Sequence, residues 1–192
     1  MSQLAKNASA SQSRRAFSTK EMVLTAMLTA VMAVCSWISV PAEIPFTLQT
    51  FAVFCAVGLL GGRNGLFSIL VYILLGAIGI PVFAGPSGGI GIILGNTGGY
   101  IVGFVFIALI CWLTEKLFGS GLIVRIISML IGLAVMYAFG TAWYIFLYTK
   151  NTGDVSLIQV MKWCVTPFVI PDLLKLALAV VLTDRIKKYA KL

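Results

Sequence analysis

From Gly79 to Tyr100 the chain reads GIPVFAGPSGGIGIILGNTGGY, an uncharged stretch crowded with Gly and Pro between two strongly apolar segments. So many helix breakers exclude a regular membrane-spanning helix. Irregular backbone at membrane depth survives only where protein buries it or where it lines a cavity, because unsatisfied N–H and C=O groups are costly in lipid. The stretch is therefore either a turn at the membrane surface or one wall of a binding cavity tied into the core.

The choice of lipid as solvent follows from the rest of the chain. Its 192 residues are 60% hydrophobic and 10% charged, against about 25% charged in an ordinary soluble domain. No soluble core of this size hides that much apolar surface, so the expected fold is an all-α integral membrane bundle. Histidine is absent, which removes the commonest general base and metal ligand. Cys35, Cys55, Cys111 and Cys164 are scattered through apolar segments with no CxxC spacing. They read as small buried hydrophobes, and no metal or other cofactor is expected.

The apolar runs predict six transmembrane helices. Residues 1–20 are polar and Ser-rich and read as a disordered cytoplasmic lead; residues 21–192 form a single membrane domain. Ser18 followed by Glu21 fits a capping box that opens the first helix, predicted over Glu21 to Val40. Ala26, Ala30 and Ala33 give that helix a small-residue face, which suits close helix approach inside the bundle or against a partner. Pro41 and Pro45 end it, and PAEIPFTLQT leads to a short second helix over Phe51 to Leu60. A tight turn at Gly61 to Gly65 precedes a third over Leu66 to Ile78. The fourth is predicted over Tyr100 to Leu117, a long fifth over Leu122 to Tyr148, and the sixth over Pro171 to Ile186, with Pro167 and Pro171 shaping its start.

Six spans place both ends of the chain on one side, and the net charge of +8 tests this by its distribution. Lys6, Arg14, Arg15, Lys20, Arg63, Lys116, Arg125, Arg185, Lys187, Lys188 and Lys191 share one side, while only Lys150 and Lys162 fall on the other. The positive-inside rule then puts both termini in the cytoplasm, so the basic balance reads as topology and not as a nucleic-acid surface. PAEIPFTLQT, the Gly-rich stretch and the Lys150 to Pro171 segment come together on the outer side, where three irregular segments can frame a pocket.

Within the predicted sixth helix, Asp172 and Lys175 stand at i, i+3 and share a face. Charges in a membrane helix are expensive and face a cavity or each other. They form either a self-contained pair near the interface or one pole of the pocket. Asn96 offers both a donor and an acceptor beside glycines that let a ligand approach the backbone, or it caps the fourth helix. Thr47, Gln49 and Tyr100 complete the outer polar set, and Phe46, Phe83 and Tyr100 are candidate walls.

Four segments, PFTLQTFAVFCAVGLLGGRNG, YILLGAIGIPVFAGPSGG, GNTGGYIVGF and PDLLK, together resemble the BioY family, the biotin-binding S components of energy-coupling factor (ECF) vitamin transporters. The resemblance extends along most of the chain from Glu21 onward. It departs at Asn96, where the family often carries Pro within GPTGGY. The resemblance implies a six-helix subunit that captures biotin from outside. It also implies partners: a transmembrane coupling protein, which docks on the Ala26/Ala30 face, and two ATP-hydrolysing subunits. Under it, Asp172 accepts ureido N–H groups, Asn96 complements the other ring edge, and Lys175 attracts the carboxylate or holds Asp172 ionised. No Walker motif occurs in the chain, so ATP hydrolysis falls to partners. Two other readings stand beside it. An intramembrane enzyme built on Asp172 lacks a second carboxylate in the spans and any His, and a stand-alone channel or secondary transporter lacks visible inverted repeats.

Overall fold

A computed structural model describes residues 18–40 and 45–190. The proposed lead up to Phe17 and the loop residues Pro41 and Glu43 lie outside them. The described chain is a helical bundle: α1 (Thr19–Trp37), α2 (Gln49–Ala77), α3 (Ile90–Ile93), α4 (Gly98–Phe118), α5 (Leu122–Asn151), α6 (Leu157–Cys164) and α7 (Thr166–Ala190). A two-stranded antiparallel ribbon, β1 (Ser39–Val40) and β2 (Phe46–Thr47), joins α1 to α2. Five of the helices are long and apolar enough to cross a membrane.

The α2 element makes two passes. Gly61, at φ 77° and ψ 168°, breaks it into arms 49–60 and 62–77; this left-handed φ is open to glycine at little cost. In a straight helix Val57 and Gly65 would lie about 12 Å apart, and Gln49 and Tyr72 about 35 Å. Instead a Cβ on Gly65 would sit 2.9 Å from the Val57 Cα, and the Gln49 amide donates to the Tyr72 hydroxyl at 2.9 Å. The arms are therefore antiparallel, and the five long helices supply six passes. The turn itself is shorter than Gly61 to Gly65, since Gly62 onward is already helical.

Charged side chains cap the broken ends at this bend. The Glu115 carboxylate accepts from the Gly62 N–H at 2.7 Å, at the start of the second arm. Arg125 donates to the Gly58 carbonyl at 3.2 Å, near the end of the first, and to Asp184 of α7. An anion at a helix N-terminus and a cation at a C-terminus both oppose the local dipole. The Asn64 amide reaches Glu21 at 3.0 Å, so the start of α1, the bend, the α4–α5 turn and the end of α7 share one end of the bundle. Lys20, Arg63, Lys116, Arg185, Lys187 and Lys188 fall in these same segments.

Three sequence expectations need correction. The capping box at Ser18 and Glu21 is present, but α1 stops at Trp37, because Ser39 and Val40 pair with Thr47 and Phe46. Ala33 is buried, so only Ala26 and Ala30 stay on the outer face of α1, among Met22, Val23, Met27, Val31 and Val34. The last helix begins at Thr166, not at Pro171. Pro167 sits in the first turn, where a missing N–H costs nothing, whereas Pro171 lies inside the helix and removes a ladder bond. Asp172 is thus in the second turn of α7, away from its first N–H groups.

Candidate functional site

At the end of the bundle opposite the basic cluster lies a cavity of ≈ 300 Å³. That is near the lower bound of roughly 300–1,000 Å³ for small-molecule sites. Its floor is formed by α2, α5 and α7, and its other walls by β2, the 78–97 segment, the first two turns of α4 and the end of α6. The Gly-rich stretch therefore does line a cavity. Most of it is irregular, with an isolated bridge between Phe83 and Ser87 and the single turn α3.

Its position is set by a close approach. The Phe83 ring occupies the volume that a side chain on Gly76 would fill, and it meets Tyr72 edge-on at 5.5 Å between centroids. The Tyr72 hydroxyl and the Ser36 hydroxyl both donate to the Val82 carbonyl, and the Trp37 indole N–H donates to the Pro81 carbonyl at 2.8 Å. Side chains of α1 and α2 thereby satisfy carbonyls that secondary structure leaves unpaired. Tyr100 reaches the opposite wall, its ring against Gly140 and its hydroxyl 3.2 Å from Thr141.

The polar floor centres on Asp172, 3% exposed, and Lys175, 6% exposed. Their ion pair is 2.8 Å long. Asp172 Oδ1 accepts from Lys175 Nζ and from Thr50 Oγ1, each at 2.8 Å, and Oδ2 accepts from the Tyr137 hydroxyl at 2.6 Å. Lys175 Nζ also donates to the Thr47 carbonyl at 2.6 Å and to Thr50 Oγ1 at 3.2 Å, and stands 4.2 Å from the Phe46 ring centroid. All three ammonium protons have acceptors, and the ring face adds a cation–π contact. A buried charged pair is tolerated only with its remaining hydrogen-bonding positions filled, as here.

Of the residues singled out in the sequence, Thr47, Gln49, Phe83, Tyr100, Asp172 and Lys175 line the cavity. Phe46 stands behind the lining, stacked on Phe168 at 6.0 Å and under the lysine head group. Asn96 is not among the lining residues; its neighbour Thr97 is. Residues 7–192 match the family model described as BioY family. The chain belongs to the BioY family.

Two relatives match over most of their length. A probable biotin transporter BioY of Pyrococcus horikoshii is 41% identical over 169 residues, covering 88% of this chain and 96% of the relative. The biotin transporter BioY of Thermotoga maritima is 35% identical over 171 residues, with coverage of 88% and 96%. Among solved structures, the S component for biotin from an ECF-type ABC transporter superposes with a TM-score of 0.77 at 27% identity, covering 90% of this chain and 95% of that one. This BioY-family chain is accordingly a multi-pass membrane protein with an S-component bundle.

Two residues of the floor escape a reading of the sequence. Thr50 closes PFTLQT without standing out from Thr47, although the i, i+3 spacing of the two threonines was a usable signal. Tyr137 lies in an apolar helix that also carries Tyr144 and Tyr148. Nothing in their spacing marks the one that meets Asp172.

Proposed function

We propose that this chain captures biotin in the ≈ 300 Å³ cavity and serves biotin uptake as the S component of an ECF-type transporter. It is a transport subunit and not an enzyme, as its family membership implies. The observation that carries the residue assignment is the buried Asp172 floor beneath apolar and aromatic walls. Biotin presents two ureido N–H donors, a carbonyl, an apolar thioether ring and a carboxylate tail. Asp172 suits the N–H groups, and Phe83, Tyr100 and Phe168 suit the bicyclic ring. With its protons committed, Lys175 stays bonded to Asp172 and leaves the ligand carboxylate to the cavity mouth. Asn96 stands in the turn beside Thr97, outside the lining.

The partners in this reading are a transmembrane coupling protein and two ATPase subunits, with the coupling protein seated on the outer face of α1. Ala26 and Ala30 are exposed there, and small side chains permit close helix approach. Ala30→Trp should leave biotin binding by the isolated subunit within about threefold of the parent, since it fills no core volume, yet abolish uptake with the coupling module. Binding measured in detergent and uptake measured in cells separate the two. Loss of both together would place this face inside the working bundle and end the docking assignment.

Both termini are assigned to the cytoplasm and the cavity mouth to the outside, from the charge at the two ends of the bundle. A cysteine at Asp154, in the exposed segment after α5, should react with an impermeant thiol reagent added to intact cells. A cysteine at Lys188 should react only after the membrane is opened. The reverse pattern would turn the cavity inward.

A further inference from the structure

Around Asp172 the donors and the acceptors are unequally used. Lys175 spends its three protons on the Thr47 carbonyl, Thr50 Oγ1 and Asp172 Oδ1. Thr50 spends its one on Asp172 Oδ1, and Tyr137 spends its one on Asp172 Oδ2. Every donor at this pole is therefore consumed internally. An ionised carboxylate has about four acceptor positions and a phenol oxygen about two. What remains unused, on two residues that line the cavity, is a free lone pair on Oδ2 and the lone pairs of the Tyr137 oxygen. Among the described residues no other donor reaches Oδ2.

Tyr137 reaches this position from α5, whereas Asp172 belongs to α7 and Thr50 to α2. The α5 and α7 backbones make little direct contact, so the phenol spans the gap between them. Its ring is only partly buried and lines the cavity. We infer that Tyr137 is a positioning and specificity residue: by donating to Asp172 Oδ2 it orients that oxygen to the ligand and turns its own oxygen into a second acceptor. The edge formed by Asp172 Oδ2 and the Tyr137 oxygen then accepts and does not donate. It takes ligand N–H groups and repels a carboxylate or a bare carbonyl, which orients the ligand ureido-first. The inference rests on the biotin reading of the cavity.

A double-mutant cycle with biotin tests it. Tyr137→Phe removes one oxygen and keeps the ring. It should weaken biotin binding about 10- to 100-fold where Asp172 is present, the range for a hydrogen bond to a charged group. In the Asp172→Asn background the same change should cost about threefold or less, because the phenol then has no carboxylate to orient. The unliganded Tyr137→Phe protein should melt close to the parent. If Tyr137→Phe proves unstable, 3-fluorotyrosine at 137 keeps both ring and hydroxyl while altering the O–H acidity, and the same dependence on Asp172 should appear in its affinity. A change of threefold or less with Asp172 present would overturn the inference, and so would an equal loss in both backgrounds, which marks a packing role. Failure of the parent itself to bind biotin would instead remove the biotin reading, so the two failures are distinguishable.

Discussion

Asp172→Asn should weaken biotin binding about 30- to 1000-fold, or about 2–4 kcal/mol, while leaving a folded bundle. The carboxylate is surrounded by donors: Lys175 and Thr50 on Oδ1, and Tyr137 on Oδ2. An amide has one oxygen and one NH2, so whichever way it turns, a donor faces a donor. With the NH2 toward Lys175 and Thr50, two internal bonds are lost; with it toward Tyr137, the ligand's acceptor is lost. Removing the charge also weakens every bond that remains, since charge-assisted bonds are roughly twice as strong as neutral ones. Titration calorimetry of the detergent-solubilised protein reads the affinity. Parent-like affinity in a folded Asp172→Asn variant would make the charged pair purely structural.

Lys175→Met should be the most damaging single change to stability. It deletes the partner of a carboxylate that is 3% exposed, and it strips donors from the Thr47 carbonyl and Thr50 Oγ1. Breaking a buried pair by removing one partner costs about 3–5 kcal/mol, because the remaining charge is left uncompensated. Adding Asp172→Asn to Lys175→Met should recover much of that stability, since no orphaned charge is left. Biotin affinity should not return with it. Thermal unfolding in detergent, with and without biotin, checks both halves. If stability and affinity recover together, the pair contributes packing alone and the ligand is held elsewhere.

The class of fold and part of the cavity lining could be read from the residues. Low charge, apolar runs and the segregation of Lys and Arg give a membrane bundle with a basic end, and the structure has both. Asp172 and Lys175 were conspicuous because a charge within an apolar helix needs a reason, and their spacing put them on one face. The Gly-rich stretch was conspicuous because its backbone needs partners, which turn out to include Ser36, Trp37 and Tyr72. What stayed hidden depends on tertiary geometry. Tyr137 meets Asp172 only because α5 lies across the cavity from α7. Gly61 folds α2 back on itself, yet a short glycine cluster does not tell a kink from a reversal. Pro171 reads as a helix opener, whereas Thr166 and Pro167 already open α7. The prominence of Asn96 came from its amide and its glycine neighbours, but Thr97 is the residue of that turn that lines the cavity.

The most direct measurement is the small molecule that the protein carries out of a cell. The chain should be purified in detergent from cells supplied with biotin, denatured, and its released ligand identified by mass spectrometry. The parent should release biotin in near one-to-one amount, and Asp172→Asn, purified in parallel, should release little or none. A different vitamin, or equal biotin from both proteins, would contradict the assignment of this cavity to biotin held by Asp172.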